Sequence, residues 1–231
     1  FNSNWSKNCA AGAIFLTFFD FDLESKQNQY KSILLKYVPV EFINDVFDLL
    51  STYPVIFKVV KPRKTKLGDF RPRFKNNKHQ ITINGNLNPY AFLITTLHEF
   101  AHLVAYEDFG NRINPHGKEW KDSYARLIMP VVSSTLLPRD IEKALLHSLI
   151  SIKASSCSDM QLQRVLLKYD TVRSDEIPLE SLDKNSSFAL NGKIFEKGIL
   201  KRTRFLCTEK KSNRKYLINA LAHVKELKDE K

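Results

Sequence analysis

Cysteine is scarce and badly placed for any cluster: Cys9, Cys157 and Cys207 are the only three in 231 residues. An odd number at such wide spacing excludes a disulfide framework and fits a reducing, cytoplasmic compartment. It also excludes a four-cysteine zinc ribbon near the C-terminus, because only Cys207 lies in the last 48 residues. Long apolar runs are missing too. The run Cys9–Phe19 has eleven residues, too few to span a bilayer. Asp20, Asp22 and Glu24 follow where a signal peptide would carry small residues. Residues 1–25 are therefore read as a leader outside the fold, and no membrane partner is expected. Seven glycines and nine prolines exclude collagen-like or Pro/Gly-rich low-complexity chains. Hydrophobic residues at 43% and aromatics at 11% instead fit a folded globular protein.

Charge of one sign is in excess, and it is localised. Of the formal +11, residues 58–78 hold nine Lys/Arg against Asp69, and residues 184–231 hold thirteen against five acids. The rest of the chain is net −5. Two basic blocks on a mildly acidic body read either as ordinary solvated faces or, as two together favour, as the footprint of a polyanionic partner such as nucleic acid. Lys64, Lys66, Arg71 and Arg73 in the first block are the candidate phosphate contacts, with Lys201, Arg202 and Arg204 in the second. Phe70 and Phe74 in the first block are either base-stacking aromatics or the buried face of a short strand.

Periodicity divides the chain into helices first and strands last. Gln27–Val38 and Val40–Leu50 read as amphipathic helices separated by Pro39, and Val55–Val60 as a strand. Two short edge strands, Lys66–Phe70 and Arg71–Phe74, are expected around Gly68. Gln80–Asn84 alternates and ends in the turn signal Asn84-Gly85. Asn88-Pro89 is a helix cap followed by proline at the first helical position, so a helix should run to about Asp108 with Gly110 just past it. Asn114-Pro115 repeats that signal for a helix over 115–128, and Pro138–Lys153 reads as another. Leu162–Tyr169 is ambiguous between helix and strand. Ser174–Ser187 is polar and reads as a linker between a domain over 26–173 and a small basic β module over 188–231.

The chemistry is carried by His98-Glu99-Phe100-Ala101-His102 in the middle of the long helix. Residues four apart share one helix face, so both imidazoles can reach one ion, while Glu99 lies beside that line. A metal held there activates water, and Glu99 is placed to take the water's proton without becoming a ligand. A catalytic site needs a third protein ligand and an open position. The extended H-E-x-x-H-x-x-G-x-x-H pattern is absent, since Ala105 and Asp108 stand at its glycine and histidine positions. Asp108, His116, Glu119 and Asp122 are the candidates. His116 is preferred because it follows the cap signal Asn114-Pro115, with Gly117 to allow a close turn and Trp120 to pack behind it. His79, His147 and His223 have no partner spacing and read as structural or surface histidines.

The stretch TTLHEFAHLVAYEDFGNRINPHGKEWK, with the upstream KLGDF and QITINGNL, resembles the core of SprT-like (Spartan-type) zinc metallopeptidases over roughly residues 30–130. The shared signature is H-E-x-x-H followed, after a loop, by H-G-x-x and an aromatic residue. The resemblance implies one catalytic Zn2+ on His98, His102 and His116, with Glu99 catalytic. It implies a protein or peptide substrate, including protein bound or crosslinked to DNA. The fold class expected is α+β, a zincin-like core of helices with a small mixed sheet plus a small C-terminal β module. The chain departs from many relatives in lacking the terminal zinc ribbon, so that module must fold without metal, with Cys207 as a buried thiol. Tyr124 and Tyr106 are candidates for a transition-state hydrogen-bond donor. The rival reading is a nucleic-acid-binding protein whose metal site is structural or idle, and a further rival is a zinc hydrolase acting on a non-peptide substrate. Glu99 separates the first pair, since a structural metal site has no need of that carboxylate.

Overall fold

A computed structural model describes residues 28–63, 65–73, 78–150, 159–171 and 175–227. The leader 1–25, Lys64, Phe74, Cys9 and Cys157 lie outside these residues. The chain divides into two compact units at Pro138/Arg139. The helices Arg139–Ile150 and Met160–Leu167 fall in the second unit.

In the first unit, α1 (28–37) and α2 (Ile43–Thr52) flank a short 3-10 turn, Val40–Phe42, set by Pro39. A three-stranded mixed sheet follows, in the order β1-β3-β2: β1 (Val55–Val60), β2 (Gly68–Arg71) and β3 (His79–Asn84). Strand β3 runs parallel to β1 and antiparallel to β2. As the central strand it is buried on both faces, with Ile81 and Ile83 in the core and His79, Thr82 and Asn84 also covered. Asn84 accepts from Arg63 Nε at 2.9 Å and donates to the carbonyl of Lys66 at 2.9 Å, which fastens the irregular basic segment to the sheet. Among the described residues one strand, Gly68–Arg71, stands where two were expected around Gly68, its four residues pairing with β3, while Phe74 lies outside them.

The long helix α3 (Pro89–Phe109) begins where the sequence predicts: Asn88 Oδ1 accepts from the Ala91 amide at 2.9 Å, and Pro89 occupies the first turn. It ends at Gly110, whose φ of +77° and backbone N–H donated to the Tyr106 carbonyl form the stop. Phe92, Leu93, Leu97, Phe100, Leu103 and Val104 are all buried, so this helix is the spine of the core rather than a surface helix. Helix α4 (Lys118–Ser133) starts three residues later than its sequence signal. Asn114 and Pro115 form a tight turn instead, closed by the Gly117 amide on the Asn114 carbonyl at 2.8 Å.

In the second unit, α5 (Arg139–Ile150) and α6 (Met160–Leu167) precede a seven-stranded antiparallel sheet. Tertiary packing decides the ambiguous 162–169 segment as helix: Leu162 is buried, and Asp159 caps the first turn by accepting from Gln161 and Leu162 amides. The sheet comprises β4 (Ile177–Pro178), β5 (Ser187–Leu190), β6 (Lys193–Glu196), β7 (Leu200–Lys201), β8 (Arg204–Glu209), β9 (Lys215–Asn219) and β10 (His223–Leu227). The expected linker supplies β4, which pairs with β10, and Leu179 and Leu182, which enter the core. That core joins them to Phe188, Phe195, Cys207, Ile218 and Val224, so the module is held by apolar packing, and Cys207 is a buried free thiol. The buried Lys197 ammonium donates to the carbonyls of Glu180 and Leu182 and lies over the Phe205 ring.

Candidate metal centre

Helix α3 presents His98 and His102 one turn apart, and the Asn114–Gly117 turn brings in His116. The Nε2 atom of His116 lies 3.1 Å from that of His102 and 3.2 Å from that of His98. A tetrahedral ion with Zn–N bonds of about 2.0–2.1 Å spaces its ligand nitrogens about 3.3–3.4 Å apart. The three imidazoles therefore fit a zinc-sized ion, and among the described residues they are the group of three ligating side chains that could hold one.

The local chain accounts for this convergence. His116 has a φ of +59°, a left-handed conformation that turns its ring back towards α3. Gly117 carries no Cβ, which would sit 2.9 Å from the Asn114 carbonyl oxygen in this turn. Trp120 is almost fully buried, with its ring 4.7, 5.3 and 4.6 Å from those of His98, His102 and His116. Tyr124 stacks on Trp120 at 5.1 Å. The aromatic wall expected from Trp120 is thus present.

Electrostatics favour neutral imidazoles. Burial pushes the His98 pKa down to about 3, with repulsion from His102 and His116 adding to it, and burial pushes that of His102 down to about 4, with repulsion from His116 adding to it. Burial lowers His116 as well. Their nitrogens thus offer lone pairs at neutral pH, as metal binding requires. Glu99 moves the other way. Burial raises its carboxyl to about 7, the Asp69 carboxylate adds to this, and the Phe70 amide, Arg63 and Lys66 oppose it. A carboxyl poised near neutrality is suited to proton transfer.

Other candidates do not join the centre. Asp108 pairs with Arg126 at 2.8 Å, and Glu119 and Asp122 are not grouped with the histidines. Sequence reasoning missed the role of β2. Its residue Gly68 abuts Glu99, its Phe70 amide donates to that carboxylate, and the Phe70 ring stacks parallel to His102 at 6.5 Å. The phrase KLGDF was the available signal. His79 is fully buried and satisfied: its Nδ1 accepts from the Arg73 amide at 3.1 Å, which directs Nε2–H to the Glu107 carboxylate at 2.9 Å. Tyr106 packs against Phe70 and His79, while Tyr124 lies 6.0 Å from His98 between ring centroids.

The two basic blocks fare differently. Lys66 and Arg71 both hold Asp69, at 2.6 and 2.9 Å, and Arg73 lies 3.4 Å from Glu107, so these three cations of the first block are tied to carboxylates. Lys201 and Arg204 face each other across the β7–β8 hairpin, with Arg202 at its tip, and all three are exposed.

Comparison with known proteins agrees with this geometry. Residues 39–148 match the model of the SprT-like family. Over 27 residues the chain is 59% identical to Protein SprT of Pseudomonas fluorescens (strain Pf0-1) and of Pseudomonas aeruginosa (strain LESB58). That stretch is 12% of this chain and 16% of each relative. No solved structure matches. Helices of the described residues include none long and apolar enough to cross a membrane. Residues 39–148, which carry the trio of convergent histidines, are thus similar to the SprT-like family.

Proposed function

We propose that the protein is a zinc-dependent peptidase with a zincin-like core, in which His98, His102 and His116 hold the ion and Glu99 is the general base. The observation that carries this reading is the convergence of three neutral imidazoles beside a buried carboxyl. Zinc would supply Lewis-acid polarisation of the scissile carbonyl and lower the pKa of attacking water. Glu99 takes the water's proton as the carbonyl is attacked, then returns it to the leaving amine. Trp120 and Phe70 keep the imidazoles packed, which limits their motion and excludes bulk water. Strand β2 is an edge of its sheet, where an extended peptide can add as a further strand.

The test combines metal analysis with proteolysis of casein and of a DNA-bound protein. Glu99→Gln should retain zinc and lose about 10²–10⁴ in rate. Equal cleavage by both proteins would remove Glu99 from the mechanism, and a metal-free wild type would remove the site.

DNA-associated proteins are the proposed substrate class, supported by the exposed hairpin cations Lys201, Arg202 and Arg204. Replacing Lys201 and Arg204 by glutamate should weaken DNA binding and reduce the log–log salt slope by about 0.7–0.9 per lost phosphate contact. An unchanged slope would contradict this assignment.

A further inference from the structure

Glu99 does not reach its position from the helix alone. Strand β2 comes so close to it that a Cβ built on Gly68 would lie 2.6 Å from Glu99 Cγ and 2.8 Å from Cδ, and would also overlap Oε1. Ordinary carbon contacts are about 3.5–4.0 Å. Neighbouring residues of β2 explain why the strand cannot retreat. Asp69 stands opposite Thr82 on β3, and the Asn84 amide donates to the Leu67 carbonyl at 2.8 Å. In an antiparallel ladder the intervening residues, Gly68 and Phe70, direct their main-chain groups to the free edge. That is the side on which the Phe70 amide meets the Glu99 carboxylate. The position therefore has two requirements: an outward amide at residue 70 and no side chain at residue 68.

We propose that Gly68 is a positioning residue for the reaction, and that its missing side chain is what admits the Glu99 carboxylate between edge strand β2 and the three imidazoles. The inference deepens the peptidase reading and rests on it. The chemical reason is strict: a general base displaced by an ångström loses contact with the water it must deprotonate, at a cost of about 10²-fold in rate. Strand register resists movement of β2, so a methyl at residue 68 drives the carboxylate off the Phe70 amide.

The experiment compares Gly68→Ala in three backgrounds, each with zinc content, kinetics and melting of the metal-free protein. In the wild-type background, Gly68→Ala should bind one zinc, keep KM and lose about 10² in kcat. In a Glu99→Asp background, where the carboxylate is one methylene shorter, the same substitution should cost less than about 3-fold, a non-additivity that independent sites do not show. Melting gives a readout separate from activity. Gly68→Ala should lower the Tm of the metal-free wild type by roughly 2–8 °C and that of Glu99→Ala by less than about 1 °C. A Gly68→Ala protein that folds only in the Glu99→Ala background supports the inference equally. Full kcat in Gly68→Ala would overturn it, as would an equal Tm loss in both backgrounds. Failure of the peptidase reading looks different: the wild type and Glu99→Gln would cleave alike, while the melting comparison would still report whether residues 68 and 99 compete for the same space.

Discussion

Removing the metal should expose two opposed titrations at the centre, and Glu99→Gln separates them. His98 and His102 have folded pKa values of about 3 and about 4, below the 6.5 of a free imidazole. The unfolded chain therefore binds their protons first, and the stability they confer, complete above pH 6.5, is lost as pH falls below that value. At pH 5 each contributes a loss of about 2 kcal/mol, and the pair about 4 kcal/mol. Glu99 has the opposite sign. Its folded pKa of about 7 lies above its ordinary 4.5, so the folded state takes up its proton first as pH falls from 7. Between pH 8 and pH 5 this restores about 2.5 kcal/mol. His116 is shifted in the same direction as the other imidazoles and adds to their side. Metal-free wild type should thus lose only about 1–2 kcal/mol at these groups, and Glu99→Gln about 4 kcal/mol. The difference corresponds to roughly 5–10 °C in Tm. Thermal melts followed by Trp120 emission, at pH 8 and pH 5 in chelator, measure it, because Trp120 is buried against all three imidazoles. Identical pH dependence in the two proteins would refute the opposed titrations, and a double His98→Gln/His102→Gln variant that still loses stability at pH 5 would refute the histidine half.

Zinc should stabilise the chain by mass action, about 2.7 kcal/mol at a free concentration one hundred times its Kd, and a zinc-insensitive melt would contradict the centre. At residue 116, alanine should cost about 1 kcal/mol more than glycine in the metal-free protein, because either must adopt the φ of +59° that only glycine takes without strain. Equal stability of the two variants would show that the turn relaxes. Phe188 is fully buried in the terminal core, so Phe188→Ala should destabilise that module by about 3–5 kcal/mol in denaturant melts. A loss below 1 kcal/mol would mean that the apolar cluster does not hold the sheet together.

Local signals in the chain were sufficient for the elements whose determinants are close in sequence. Asn88-Pro89 and Gly110 bounded α3, and the four-residue spacing of His98 and His102 set both rings on one face, because helix geometry repeats within a turn. The same locality misled where capping signals served another purpose: Asn114-Pro115 makes the turn that carries His116, and α4 waits until Lys118. Short strands were harder. β4, β7 and β10 have few residues and no strong alternation, and they exist because partners elsewhere in the sheet satisfy their main-chain groups. Charge was legible as a count but not as a function, since whether Arg73 faces a phosphate or Glu107 depends on which strand lies beside it.

The sequence by itself determined that His98 and His102 share one helix face with the Glu99 carboxylate beside them, because those relations are properties of one helix. Only the tertiary structure decided that His116, rather than Asp108, completes the trio, and that Glu99 rests against Gly68 thirty-one residues upstream. Those contacts join separate elements across the core, and their distances follow from how α3, β2 and the Asn114–Gly117 turn pack, which no local spacing encodes.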